Sequence, residues 1–239
     1  MYLIICMGGF MEKKLLDKNK YRYERKMSCS KELLNEIFDL IKFHPSQFNE
    51  IYKERKVNSI YLDNFDYESY NDSVSGIMTR NKVRIRWYGE NNLIKPSLEI
   101  KSKNGDVGSK NIFNLEEIDI SKPFTFQSIR AINSNRKFAS QYPFLLDFIN
   151  PTLYCSYLRR YFLNREKTLR ITLDYQIKYM KPFINANILK LKPIQDNSVV
   201  LELKYNSDLD IQKTLEFKSL PFRTSRFSKY SNGIYAFNQ

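Results

Sequence analysis

Between Lys82 and Lys103 the chain alternates charged and apolar residues in two runs, and this period of two constrains the fold more than any other feature. In the first run Lys82, Arg84, Arg86 and Tyr88 fall on one face of an extended strand, with Val83, Ile85 and Trp87 on the other. After a polar turn, Glu99, Lys101 and Lys103 share a face opposite Leu98, Ile100 and Ser102. Side chains two apart on a strand point the same way, so the pattern predicts a hairpin with one apolar face and one densely charged face. The wet side of an antiparallel sheet would account for a single such hairpin. The arrangement recurs, however. Arg170, Thr172 and Asp174 alternate within 169–175, Glu202 and Lys204 within 199–204, and Arg22, Glu24 and Lys26 within 21–26. A solvated face usually mixes Ser, Thr, Gln and Lys, whereas these faces are Arg, Lys and Glu. Such strands closed into a barrel would line its inside with guanidinium, ammonium and carboxylate groups.

The rest of the chain fits an α+β, antiparallel architecture of about eight strands with helices between them. Strands are predicted over 21–28, 57–63, 151–164, 167–178 and 199–205, and from the Gly105 and Gly108 turn to about Leu115. Ser30 reads as the cap of a helix carrying Leu33, Leu34, Ile37, Phe38 and Ile41 at helical spacing. A short helix over 67–75 ends at Gly76, and helical periodicity returns over 122–149, broken by Pro143, and over 208–219. A barrel with a polar interior must hide an apolar outer surface, and the amphipathic segments 31–42, 122–138 and 208–219 are suited to cover it. Residues 1–20 read as an N-terminal extension, with Met11 an alternative start, and 21–239 as a single tunnel domain.

The chain has 239 residues and carries 39 Lys and Arg against 26 Asp and Glu, a net charge of +13 that attracts polyanions without choosing among them. Its one histidine, His44, sits before Pro45 in a predicted helix-terminal loop, which argues against a His-dependent triad, and a single histidine cannot build a multi-His metal centre. Cys6, Cys29 and Cys155 are far apart and odd in number, which predicts reduced thiols and a cytoplasmic setting. No Gly-x-x-x-x-Gly-Lys-Ser/Thr loop is present, so any nucleotide must be held by side chains.

Eight short stretches resemble, in collinear order, the catalytic domain of the vacuolar transporter chaperone complex (the VTC domain). They are Tyr23-Glu-Arg-Lys26, Ser59-Ile-Tyr-Leu-Asp63, Arg84-Ile-Arg-Trp-Tyr-Gly89, Glu99-Ile-Lys101, Tyr157-Leu-Arg159, Arg170-Ile-Thr-Leu-Asp174, Leu201-Glu-Leu-Lys204 and Arg226-Phe-Ser-Lys229. That family comprises polyphosphate polymerases within the CYTH-like triphosphate tunnel metalloenzymes. The resemblance implies a β-barrel tunnel that binds ATP and polyphosphate. It implies catalytic roles for Arg84, Arg86, Lys101, Arg159 and Arg170, and substrate contacts from Lys26, Tyr157, Lys204, Arg226, Ser228 and Lys229. Glu202 resembles the carboxylate that holds a divalent metal, manganese first and magnesium second, with Glu24 and Glu99 as further candidates. Two departures stand out. Arg226 occupies a position where lysine is usual, and Arg22-x-Glu24-x-Lys26 replaces the Glu-x-Glu-x-Lys of related tunnel enzymes, removing a ligand for a second metal. The family's eukaryotic members carry regulatory and membrane modules that are not visible here, so a membrane partner would be a separate protein.

Phosphoryl transfer needs charge compensation, an aligned acceptor and a metal bridging phosphates more than it needs covalent help from the protein. Arginine's planar fork and lysine's mobile charge supply the compensation. The leading expectation is therefore a metal-dependent polyphosphate polymerase. A triphosphatase using the same site with water as acceptor is the second, and a non-catalytic module binding RNA or polyphosphate the third; for the first two no nucleic-acid partner is expected. Trp87 and Tyr88 read as core or rim aromatics, Asp174 as a group that orients an arginine, and Ser228 as either a turn hydroxyl or a phosphate contact.

Overall fold

The computed structural model describes residues 22–104, 107–122, 136–142, 145, 149–182, 191–206 and 224–239. In chain order these form β1 (Arg22–Ser30), α1 (Leu34–Lys42), β2 (Asn49–Asp63), α2 (Glu68–Ser75), β3 (Thr79–Tyr88), β4 (Leu93–Ile94), β5 (Ser97–Asn104) and β6 (Val107–Asn114). There follow β7 (Ile118–Asp119), α3 (Arg136–Gln141), β8 (Asn150–Leu163), β9 (Leu169–Met180), β10 (Ile194–Asp196), β11 (Ser198–Asn206) and α4 (Lys229–Phe237). The main sheet runs β1-β11-β9-β8-β2-β3-β5-β6, antiparallel at every step, with β10 added to β9 and a separate β4–β7 pair. The predicted hairpin is β3–β5, with Lys82 opposite Lys101, Arg84 opposite Glu99 and Arg86 opposite Ser97.

The sheet is strongly curled. Laid flat, β1 and β5 would lie about 29 Å apart, six steps of ~4.8 Å. Yet Lys101 on β5 stands 3.3 Å from Glu24 on β1. No ladder among the described residues joins β1 to β6, but the free edge of β1 takes a bridge from Met27 to Thr224 and a hydrogen bond from the Ser225 amide to the Lys26 carbonyl. The segment before α4 therefore lies along the seam.

Parity decides what each face of this curl holds. Outward residues Met27, Leu169, Ile171, Leu173, Leu201 and Leu203 pack under Ile37 and Ile41 of α1. On the far side Val83, Ile85, Trp87, Leu98 and Ile100 pack with Phe138 of α3, and Trp87 stacks on Tyr154 with ring centres 5.7 Å apart. Trp87 is thus a core aromatic. Burying such side chains at ~1.5–3 kcal/mol each lets the opposite face remain charged. A third apolar cluster lies inside the curl, where Tyr61, Leu153, Tyr157 and Tyr179 meet Phe227, Tyr230 and Ile234. The C-terminal helix α4 occupies one end of the interior.

Several expectations need correction. Strand β2 begins at Asn49 rather than Val57, because 49–56 is polar and joins the sheet through β8 with two register shifts that no alternation announces. Ser30 does not cap the backbone of α1: a 3-10 turn over Lys31–Leu33 intervenes, and the Ser30 hydroxyl donates to Glu32 instead. Helix α4 is not among the elements predicted from the sequence, and Ser228 caps it by accepting from the Ser231 amide. Residues 1–20, the segment 208–219 and most of 122–149 lie outside the described residues.

Gly233 shows how tightly α4 is inserted. A Cβ there would lie 2.4 Å from Leu153 Cδ2 and 2.8 Å from Tyr179 Cδ1, both on fully buried side chains. Gly233→Val is expected to destabilise the fold by about 1–3 kcal/mol through overpacking, visible as a lower urea midpoint. An unchanged midpoint would mean that α4 does not seat against β8 and β9.

Candidate functional site

On β3, Arg84 and Arg86 point into the curl from alternate positions, and Glu99 on β5 holds both. Glu99 lies 2.6 Å from the Arg84 guanidinium, 3.7 Å from that of Arg86 and 2.6 Å from Lys110 Nζ on β6. Burial alone would raise its carboxyl pKa, but the three cations hold it at about 2. Arg86 is nearly sealed, donating to Ser59 Oγ at 3.2 Å and Tyr157 Oη at 3.0 Å. Arg84 remains more open, with 21% of its side chain accessible.

The facing wall is built on β8, β9 and the start of α4. Asp174 is fully buried and takes both prongs of the Arg159 fork, the longer bond being 2.7 Å. The same carboxylate accepts from Lys229 at 2.5 Å. Against the desolvation that would raise it, Arg159 and Lys229 keep the Asp174 pKa below the usual carboxylate value. Arg159 and Lys229 also lie over the Tyr157 ring, at 5.2 and 4.4 Å from its centre. Asp174 therefore orients an arginine, as expected, and a lysine besides.

Between the walls, β1 and β11 contribute two carboxylates that share their cations. Glu24 is 3.0 Å from Lys26, 3.3 Å from Lys101 and 4.0 Å from Lys204. Glu202 is 2.7 Å from Lys204 and 3.9 Å from Lys26. Burial and mutual repulsion push the Glu24 pKa up, but the three lysines overcome both and leave it lowered. Burial likewise works against ionised Glu202, and Lys204, Lys26 and Arg159 hold its pKa well down. Opposite Glu202 across β9, Thr172 is buried and its hydroxyl has no partner among the described residues. Two ionised carboxylates, with an unsatisfied hydroxyl beside Glu202, offer oxygen donors of the kind a hard divalent ion takes. Among the described residues no group of three acidic, His or Cys side chains could hold a metal unaided. Glu99 stands apart with its own cations, so the geometry favours Glu202 and Glu24 over it as metal ligands.

The remaining predicted residues lie at the ends. Arg170 pairs in register with Lys204, which puts it on the same sheet face, but exposed. Arg226 is exposed beside Gly76. Ser228 is both the cap of α4 and an acceptor for Lys82 Nζ at 2.9 Å. Lys82 was not singled out from the sequence, although it alternates with Arg84. It also reaches Ser73 Oγ at 2.8 Å, and burial followed by repulsion from Lys26, Arg80, Lys101 and Arg84 brings its pKa to about 7. Lys110, whose pKa burial lowers to about 8, was also missed, and only its register opposite Lys101 reveals it. His44 lies elsewhere, packed on Phe48.

No curated protein matches the sequence. Among solved structures the chain is similar to a protein of Pyrococcus horikoshii OT3, at 11% identity and TM-score 0.49, covering 92% of this chain and 100% of that one. It is similar to a candidate adenylate cyclase of Vibrio parahaemolyticus at 9% identity and TM-score 0.47, covering 90% and 98%. A third, a candidate adenylate cyclase of Bacillus halodurans, has 12% identity and TM-score 0.46, covering 87% and 95%. The family model of the VTC domain matches residues 20–238, nearly the whole sequence, and the chain belongs to the VTC domain family.

Proposed function

We propose that the protein is a metal-dependent polyphosphate polymerase. It would bind the triphosphate of ATP inside the curled sheet and pass the γ-phosphoryl group to the end of a polyphosphate chain. A terminal polyphosphate oxygen forms the new bond to the γ-phosphorus, the bond from that phosphorus to the β,γ-bridging oxygen breaks, and ADP leaves. The observation that carries this reading is the convergence of Arg84, Arg86, Lys101, Arg159, Lys204 and Lys229 from four strands and a helix onto one interior.

In this reading Arg84, the more open of the pair, grips phosphate oxygens, while Arg86 is locked by Ser59 and Tyr157 as a fixed charge. Asp174 keeps Arg159 and Lys229 aimed across the interior. Lys26, Lys101 and Lys204, now on carboxylates, are free to turn to phosphates, since lysine is a mobile point charge. Arg170 and Arg226, both exposed, would meet the anion as it enters or leaves. Glu202 and Glu24 would hold the divalent ion, manganese or magnesium, which when bound supplies charge neutralisation between phosphates. Incubating the purified protein with ATP and manganese should give a ladder of long polymers on a polyacrylamide gel. Orthophosphate as the sole product would assign the site to a triphosphatase instead.

Arg84→Ala and Lys101→Ala should each lower the rate of synthesis by about 100- to 1000-fold, the scale for removing a donor that meets developing charge. Circular dichroism should show both variants folded, and full activity in either would remove that residue from the site. A second test uses Lys82. Its pKa of about 7 leaves it largely neutral at pH 8 in the free protein, and a bound triphosphate favours the cation. Triphosphate binding at pH 8 is therefore expected to take up a proton, read by calorimetry in buffers of different ionisation enthalpy. Lys82→Met should reduce the uptake, and an identical value in the variant would clear Lys82 of the role.

A further inference from the structure

At the mouth opposite Lys82, the inner face changes character. Arg55 on β2 is Cα partner to Arg159 on β8, and its exposed guanidinium lies 4.3 Å from the Tyr52 ring centre, 5.7 Å from Tyr161 and 6.0 Å from Tyr88. Tyr88 continues the parity of Arg84 and Arg86, and Tyr161 that of Tyr157 and Arg159, so the rings share the face that carries the phosphate-gripping residues. Tyr52 and Tyr88 are half exposed, at 48% and 51%. Arg55 makes no ion pair among the described residues.

Tyrosine rings offer little to a phosphate chain, and here Tyr52, set edge-on to Tyr161 at 5.5 Å, and Tyr88 leave aromatic surface facing water beside a guanidinium. Stacked guanidinium and ring faces are instead suited to a flat heteroaromatic base. The connection to the interior is short. Tyr161 lies between the guanidiniums, with Arg159 at 5.9 Å and Arg55 at 5.7 Å from its ring centre. A base at the rim would thus place its own phosphates against Arg159.

We propose that Arg55, Tyr52, Tyr88 and Tyr161 form a base-stacking platform that selects a nucleoside triphosphate over inorganic triphosphate as the phosphoryl donor. The inference rests on the polymerase reading only in that a triphosphate must enter this interior. It makes the rim a specificity element and leaves the transfer chemistry to the residues further in.

The test is equilibrium binding, by calorimetry in one manganese buffer, of a methylene-bridged ATP analogue and of inorganic tripolyphosphate. A stacked base contributes about 1–3 kcal/mol, so the analogue is expected to bind roughly ten- to hundredfold more tightly than its charge alone would allow. Tyr88→Ala should remove most of that advantage and leave tripolyphosphate affinity unchanged, while Tyr88→Phe, which keeps the ring, should retain it. Arg55→Ala should act in the same direction. Equal affinity of the two ligands in the unmodified protein, or a parallel loss of both in Tyr88→Ala, would overturn the platform while leaving the triphosphate site standing. Failure of either ligand to bind would overturn the site and the platform together.

Discussion

Everything in this structure depends on how four buried or half-buried carboxylates are balanced. Glu24, Glu99, Asp174 and Glu202 together contact eight cations: Lys26, Arg84, Arg86, Lys101, Lys110, Arg159, Lys204 and Lys229. An isolated charge in such a place would be neutralised or expelled. The carboxylates make it possible to gather arginines and lysines where the folded chain alone would keep them apart. They do not cancel them. The surplus shows in Lys82, whose proton is loosened first by burial and then by four neighbouring cations. An interior balanced in this way is short of negative charge, and the deficit is what an incoming anion fills.

The inside-out sheet follows from the same requirement. Charge can line the concave face only if the convex face finds apolar cover, and α1, with Phe138 of α3, supplies it for two separate clusters. An apolar patch lies on the concave face where α4 enters, and there the helix has been trimmed to a glycine against Leu153 and Tyr179. Helix α4 also brings Lys229 to Asp174 and Ser228 to Lys82. Closing one end and completing the charged wall are thus done by the same nine residues.

Much of this was legible in the sequence because strand parity is a local signal. The alternation of Lys82, Arg84 and Arg86 with Val83, Ile85 and Trp87 gave both the hairpin and its facing, and Glu99 and Lys101 fell opposite as read. What escaped was whatever depends on contacts distant in the chain. The first half of β2 has no apolar alternation and is a strand only because β8 pairs with it. Helix α4 is short, with a glycine in its middle, and its helical state follows from packing inside the curl. Lys110 looks like an ordinary surface lysine until register sets it opposite Lys101. The sharing of Lys26 and Lys204 between Glu24 and Glu202 likewise needs β1 and β11 side by side, although 180 residues separate paired positions such as Glu24 and Lys204.

That sharing has a consequence for how the site would work. Lys26, Lys101 and Lys204 cannot serve carboxylates and phosphates equally at once, so under the proposed function an arriving triphosphate would compete with Glu24 and Glu202 for them. As the lysines turn to the phosphates, two buried carboxylates lose their counter-charges together. Leaving them so is costly in a poorly solvated interior, and a divalent cation held by Glu24 and Glu202 would supply the missing positive charge. Under that reading substrate and metal binding would be coupled through a shared set of lysines, each making room for the other. Glu99 takes no part in this exchange, because Arg84, Arg86 and Lys110 hold it from three sides. The site thus divides into a fixed half, where arginines are locked on Glu99 and Asp174, and an exchangeable half built from lysines.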